Sequence, residues 1–545
     1  MSPRDATASA DTADRVARRE LGLKRLHPHQ REAVDAVTAG RDTLAVLPTG
    51  SGKSAIYQVA GFLIPGPTVV VSPLLALQRD QVDDLAERGA TAAALNSRIG
   101  ARRRREILDA FADDELEFLL LAPEQLDNPE VAAGLRRARP SLFVVDEAHC
   151  VTEWGHDFRP AYLGLGRMRE ELGRPRLLAL TATASPPVRD EILERLAMRD
   201  AAVVSRGFDR PNLELRVESA GEARAKLDRL VELVRELPDP GIVYAATRRR
   251  AEDVADALVS AGVKAEAYHG GMPAARRTGI EERFLDGIDG VMVATTAFGM
   301  GVDKPDVRFV IHDAPSQSVD AYYQEIGRAG RDDAPATIIL LYRPEDLSLR
   351  SFFASQRGVG RAALLAVGEA LSAAGEGLTV RSLVERTGLR QRQVSGALGE
   401  LEGAGVAVHR RRRWHDNDGA GDAAALLESL ERRRERRTEV ERRRVEMMRG
   451  YAETPRCRRQ YLLNYFGEPF EPPCGACDNC RTGRAAATED APPIAIGARV
   501  RHEAFGIGTV TGYEDGRLTA VYEEGGYRTV MAEEAMARGL LREES

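Results

Sequence analysis

Short runs of consecutive apolar residues punctuate the first two-thirds of the chain. DTLAVLPTG, PTVVVSP, LEFLLLAP, SLFVVDEAH and RLLALTATA all lie between Leu26 and Val204. They do not alternate polar with apolar positions, and amphipathic stretches separate them. A strand that is apolar on both sides has both faces covered, so the series predicts a parallel sheet with helices on each face. A second series, GIVYAATR, VKAEAYHGG, GVMVATTAFGMG, VRFVIHDAP and ATIILLYRP, predicts another α/β domain, with GFDRPN (Gly207 to Asn212) near the join.

After about Pro344 the period becomes helical. LTVRSLVERTGLRQRQVSGALGELEGAGVAVHRR carries two helical segments broken at Gly388 and a turn at EGAG, a pattern that suits a helix-turn-helix with a small wing. An arginine-rich helix follows, then a cysteine cluster, then the polar linker TGRAAATEDAPP. From Ile494 to Leu541, short strands divided at EDGR and EEGG predict a small β-barrel. The expected divisions are an N-terminal segment 1–24, α/β domains 25–205 and 206–345, and a helical insert 346–450. A cysteine module 451–482, a linker 483–493 and a barrel 494–545 complete the chain.

Composition narrows the class. A chain of 545 residues is too long for one core, and its 43% hydrophobic and 30% charged residues are those of an ordinary globular protein. The first residues hold no apolar core of a signal peptide, and no run approaches a membrane span, which predicts a cytoplasmic protein that makes no membrane contact. A net charge of −7 argues against a generally basic, nucleic-acid-coating protein while leaving room for local basic grooves.

The first candidate site is PTGSGKS, Pro48 to Ser54, at the end of an apolar strand and the start of a helix. Thr49, Gly50, Ser51 and Gly52 are small enough for backbone amides to wrap a phosphate, and the helix N-terminus favours the anion. Lys53 reaches terminal phosphates and Ser54 can hold Mg²⁺. Leu47 stands where the usual pattern has its first glycine. An ordinary tight turn is the competing reading. Against it stand the strand–loop–helix context and a lysine kept in a chain whose basic residues are almost all arginine, since a compact ammonium fits a phosphate cradle better than a guanidinium. DEAH then supplies Asp146 for Mg²⁺, and Glu147 to orient and deprotonate the attacking water.

With these residues in view, the chain resembles a superfamily 2 helicase of the RecQ type, from about Leu23 to Glu345 and again at the cysteines. LHPHQ, SPLLALQRDQV, APEQL, TAT (Thr181 to Thr183), YHGGM, VATTAFGMGVDKPDVRFVIH and YYQEIGRAGRD stand in that family's order. The resemblance implies two RecA-like motor domains closing on ATP·Mg²⁺. It implies that Gln30 reads adenine, and that Gln324, Arg328 and Arg331 face the nucleotide from the second domain, with Arg331 as the arginine finger. The family's aromatic and arginine near the base are replaced here by Leu23 and His27, which weakens stacking and puts strict preference for ATP in doubt. TEWGHDFRP, Thr152 to Pro160, is similar to the family's aromatic-rich loop, which couples single-stranded DNA to hydrolysis. It implies base stacking on Trp154 or Phe158 and signalling by His156 and Arg159. Stacking of this kind is worth about 1–3 kcal/mol per base and ignores sequence. Ser72, Thr295 and Thr296 would touch the DNA backbone.

Cys474, Cys477 and Cys480 form CGACDNC, and Cys457 lies upstream in CRRQYLLNYFGE. Four thiolates at these spacings suit a closed, structural Zn²⁺ site, and the resemblance extends to this arrangement. In many RecQ proteins a winged-helix domain follows the zinc module; here a winged-helix-like stretch, about Arg361 to Arg413, precedes it. Two readings of that insert stand: a rearranged duplex-binding element with His409 to Trp414 on phosphates, or a packing and protein-contact module. The tail resembles the Tudor-like barrel of UvrD-type repair helicases, which binds protein, notably RNA polymerase; it implies such a polymerase or a repair factor as partner. The expected activity is a 3′→5′ DNA helicase acting on single-stranded and forked DNA in repair and recombination. The rivals are an RNA helicase and a non-unwinding, ATP-gated adaptor that recruits a partner to DNA.

Overall fold

A computed structural model describes residues 3–48, 50–73, 75–96, 99–152, 160–205, 207–288, 290–298, 304–347, 360–403, 405–410, 413–417, 423–485, 493–495, 497–514, 516–522 and 526–544. Two compact units form, one from Met1–Arg343 with Met447–Ser545, the other from Pro344–Glu446.

The first unit contains two parallel sheets. In the first sheet, β1 (Thr43–Val46), β2 (Thr68–Val71), β3 (Ala92–Leu95), β4 (Phe118–Leu121), β5 (Leu142–Val145), β6 (Arg176–Thr181) and β7 (Ala202–Ser205) lie in the order β3-β4-β2-β5-β6-β1-β7. β1, β2, β4 and β5 are buried at every position, as continuous apolar runs require when helices cover both faces. The second sheet holds β8 (Leu213–Ser219), β9 (Gly241–Tyr244), β10 (Ala265–Tyr268), β11 (Val291–Ala294), β12 (Phe309–His312) and β13 (Ala336–Tyr342) in the order β10-β11-β9-β12-β13-β8. Both architectures are α/β with RecA-like parallel sheets. Position in the sheet shows in the sequence: β8, at an edge, reads LELRVES and is only partly covered, whereas central β12 reads FVIH and is wholly buried.

Residues before Leu26 join the first core. The helix Pro3–Leu21 buries Ala13, Ala17 and Leu21, spaced four apart, against Ile56 and Val59 of the helix Lys53–Leu63. Small alanines on a polar helix make a weak apolar stripe, so this packing was hard to read from composition.

In the other unit, the helices Arg361–Ser372, Val380–Thr387 and Gln391–Gly403 enclose Leu364, Val367, Leu383, Val394 and Leu398, with Trp414 against them. Gly388, at φ +68°, ends the second helix in the left-handed conformation that glycine adopts without strain. β14 (Ala407–Arg410) and β15 (Arg413–Asp416) pair as an antiparallel hairpin. In the first unit, the C-terminal strands β16 (Arg499–His502), β17 (Gly506–Glu514), β18 (Arg517–Tyr522), β19 (Gly526–Met531) and β20 (Leu541–Glu543) form an antiparallel sheet in the order β19-β18-β17-β16-β20. Among the described residues its edge strands β19 and β20 do not pair with each other, so what is seen is an open sheet around Val500, Val510, Leu518 and Tyr522. No helix among the described residues is long and apolar enough to cross a membrane.

Candidate active site and metal centre

In an open parallel sheet, side chains at neighbouring carboxyl ends converge on one crevice. Here β2, β5, β6 and β1 are consecutive neighbours, and their ends deliver Ser72, Asp146, Thr181 and the loop that leads to Lys53. The loop is held from behind by Gln30. Its Nε2 donates to Ser51 O at 2.8 Å and Gly52 O at 3.1 Å, and its Oε1 accepts from His27 N at 2.8 Å. Gly52 sits at φ +69°, a conformation that favours glycine, and a β-carbon there would come within 2.6 Å of Gln30 Nε2 and displace that amide from the loop. Lys53 Nζ donates to Leu47 O at 3.2 Å and Pro48 O at 3.3 Å. Burial holds its pKa below the usual value, with Arg331 adding to that effect and Glu147 and Asp146 opposing it. Ser51 Oγ is buried with no hydrogen-bond partner among the described residues.

Asp146 is 7% exposed. Burial and then the neighbouring Glu147 carboxylate push its pKa up to about 6, against the pull of Lys53. Its Oδ1 accepts from Glu147 N at 3.0 Å, and its Oδ2 accepts from Ser72 Oγ at 3.3 Å. A buried carboxylate with so little compensation suits a cation, and with the orphaned Ser51 hydroxyl and the lysine it fits a Mg²⁺-bound polyphosphate. Glu147 adopts φ +48°. Its Oε2 lies 3.3 Å from His149 Nδ1, and that nitrogen is 2.9 Å from Thr181 Oγ1. His149 was not singled out from sequence; its signal was its place two residues after Glu147.

Ser72 departs from its expected place at a DNA surface. It is fully buried, with its hydroxyl on Asp146 and its carbonyl accepting from Gln78 Nε2 at 2.8 Å. Thr295 is half-buried and Thr296 exposed beyond β11. Thr49, Trp154, His156, Phe158 and Arg159 lie outside the described residues. Ser54, half-buried, is in the first turn of the helix Lys53–Leu63.

The second sheet's contribution comes through the helix Val319–Ile326 and the turn after it. Gln324 Nε2 donates to Thr183 Oγ1 at 3.4 Å, across to the first sheet's domain. Arg331 runs along the phosphate loop: a β-carbon on Gly50 would meet its Cγ at 3.4 Å. Arg328 is buried beside Tyr244 at the end of β9. Glu325 anchors the helix, accepting from Ser316 Oγ at 2.5 Å and pairing with His312 Nε2 at 2.8 Å.

Cys457, Cys474, Cys477 and Cys480 place their four sulfurs within 4.8 Å of one another, with Cys474 and Cys480 3.8 Å apart. Tetrahedral Zn²⁺ with Zn–S of about 2.3 Å requires sulfurs about 3.8 Å apart, so the set fits that ion. Cys457 and Cys477 each precede a short helix, and hydrogen bonds from Cys457 and then Cys474 hold the Cys477 thiol far below its usual pKa. The shell is locked in turn. Arg458 pairs with Asp478 at 2.6 Å, and Asn479 Nδ2 donates to Thr454 O and Arg456 O, each at 2.8 Å. Asp478 Oδ2 also accepts from Val217 N at 3.0 Å, fastening the module to β8.

Family models match the chain in three places: DEAD/DEAH box helicase over residues 27–192, helicase conserved C-terminal domain over 225–333, and RecQ zinc-binding over 408–481. The probable ATP-dependent DNA helicase RecS of Bacillus subtilis is 37% identical over 465 residues, covering 84% of this chain and 90% of its own. The ATP-dependent DNA helicase RecQ of a Synechocystis species is 35% identical over 503 residues, 88% of this chain and 100% of its own. The Bacillus subtilis RecQ is 32% identical over 468 residues, 86% of this chain but 66% of its own. Among solved structures, the DUF1998 helicase MrfA bound to DNA superposes with a TM-score of 0.53 at 18% identity, over 77% of this chain and 64% of that one, a likeness of fold.

Proposed function

The chain belongs to the RecQ family of ATP-dependent DNA helicases, and from that membership we propose that it couples ATP hydrolysis to 3′→5′ movement on single-stranded DNA and to the opening of forked duplexes. The observation that supports this most is the meeting of Lys53, Asp146 and Glu147 from one domain with Arg331 from the other at a single glycine loop.

The amides from Gly50 to Ser54 and the positive end of the helix behind them receive the phosphates. Lys53 turns its ammonium from the carbonyls of Leu47 and Pro48 to the terminal phosphate. Asp146 and Ser54 would hold Mg²⁺, which would offset charge on the phosphate oxygens. Glu147 orients the attacking water and takes its proton, and His149 fixes that carboxylate against Thr181. Arg331 faces the charge that develops on the transferred phosphoryl group, Arg328 supports it from the end of β9, and Gln324 ties the nucleotide-facing helix to Thr183. Gln30 braces the loop through Ser51 O and Gly52 O, and its amide reads the base edge by turning from those carbonyls to adenine. The Ser72 hydroxyl serves the nucleotide side through Asp146. Cys457, Cys474, Cys477 and Cys480 hold a structural Zn²⁺ that fixes the fold of their module.

Thr295 and Thr296 contact the DNA backbone, and Trp154, His156, Phe158 and Arg159 sense its bases. The unit Pro344–Glu446 is a winged-helix element, and the C-terminal sheet is a Tudor-like module for a protein partner such as RNA polymerase or a repair factor. The protein works in the cytoplasm, at the nucleoid. Unwinding of a forked duplex, with ATP and Mg²⁺, tests this reading: wild type should separate the strands and Glu147→Gln should not. A Glu147→Gln protein that still unwinds would refute the role given to that residue.

A further inference from the structure

Beyond the cleft, four segments that lie far apart in the chain meet at one buried point. Ser185, 2% exposed, stands just before the helix Pro186–Arg195, two residues after Thr183. Asp320 lies in the first turn of the helix that carries Gln324. Tyr465 ends the helix Arg458–Tyr465 of the cysteine module and donates its hydroxyl hydrogen to Asp320 Oδ2. Tyr527 on β19 stacks on Tyr465, ring centres 5.4 Å and planes 14° apart, and its buried hydroxyl lies with Ser185 and Tyr465.

The surroundings hold this point in place. Arg456 donates to Tyr513 O of β17 at 2.7 Å, and β18 lies against the helix Pro186–Arg195. Arg189 of that helix donates to Phe466 O at 2.6 Å, while Gly467 packs on Pro186. Burial drives both the Tyr465 and Tyr527 hydroxyls above their usual pKa.

Ser185 belongs to the first α/β domain and Asp320 to the second, and each stands within a few residues of the groups that touch across the cleft, Thr183 and Gln324. We propose that Tyr527 is a positioning residue for ATP hydrolysis: through Tyr465 it links Ser185 to Asp320 and favours the arrangement in which Arg331 lies against Gly50. The C-terminal sheet is then a brace on the motor, whatever else it binds. The inference rests on the role proposed for Arg331 in hydrolysis.

A brace that favours the closed arrangement has a particular kinetic signature. Apparent affinity is the intrinsic affinity scaled by the closed fraction, while saturating ATP restores closure by mass action. Losing the brace raises KM and spares kcat; mere structural damage lowers kcat with the amount of folded enzyme and leaves KM alone.

The test is steady-state ATP hydrolysis by the full-length protein with saturating single-stranded DNA, for wild type, Tyr527→Phe and Tyr527→Ala. Loss of the aromatic stack on Tyr465, together with the buried hydroxyl, predicts a KM for ATP raised about tenfold in Tyr527→Ala, with kcat within about twofold. Tyr527→Phe keeps the stack without the hydroxyl and should fall between. Wild-type KM in both variants, or a loss of kcat at unchanged KM, would overturn the proposal. A wild-type protein that hydrolyses no ATP would instead overturn the functional reading on which it rests.

Discussion

The two α/β domains share a parallel-sheet architecture but contribute opposite chemistry. The first brings a phosphate-sized loop, one lysine and a pair of carboxylates at the ends of β1 and β5. Among its described residues the second shows no such loop; it offers a glutamine and two arginines from one helix and the turn after it. Its own strand ends, Tyr244 and His312, are spent on holding that helix through Arg328 and Glu325. One sheet builds a site and the other aims charge at it. Neither half is complete, so on the proposed reading hydrolysis depends on how the halves meet.

This division can be broken most severely at Glu147, the carboxylate proposed to activate water. Glu147→Gln should keep the loop and nucleotide binding but lower kcat roughly 10⁴-fold, read from DNA-stimulated phosphate release. On the opposite half, Arg331→Ala should lower kcat about 10³-fold with nucleotide affinity little changed, since the role proposed for its charge is exerted as the transition state forms. If Arg331→Ala instead raised only the KM, Arg331 would serve nucleotide binding and not the transition state, and its side of the contrast would fail. Gly52→Ala combines a left-handed backbone with a clash on Gln30, together about 2–3 kcal/mol. It should weaken nucleotide binding about 10²-fold in a fluorescent-nucleotide titration while leaving the second domain untouched. The smallest effect belongs to the bridging contact. Gln324→Ala removes one long hydrogen bond to Thr183, worth about 1 kcal/mol, and should cost roughly fivefold in kcat/KM.

Local signals were easy to read. Lys53, the Asp146–Glu147 pair and the four cysteines announce themselves by spacing, and β1, β2, β4 and β5 by apolar runs that only doubly covered strands can carry. Adjacency between strands was not readable, because it is set by the order of the whole sheet. Ser72 reaches Asp146 only because β2 lies beside β5, which turned an expected surface contact into a buried one. Likewise Tyr465 and Asp320 are 145 residues apart, and no periodicity relates them. The helix Pro3–Leu21 escaped notice for another reason: its buried face is alanine, whose apolar signal is faint among so many charges. The C-terminal strands were marked by their turns, yet closure into a barrel is a matter of edge pairing that turns do not specify.

The measurement that bears most directly on a DNA-coupled motor is steady-state ATP hydrolysis by the full-length protein alone, with single-stranded DNA and with single-stranded RNA, at matched low salt. Strong stimulation by DNA and little by RNA is the predicted result. Equal stimulation by RNA, or none by either, would contradict it.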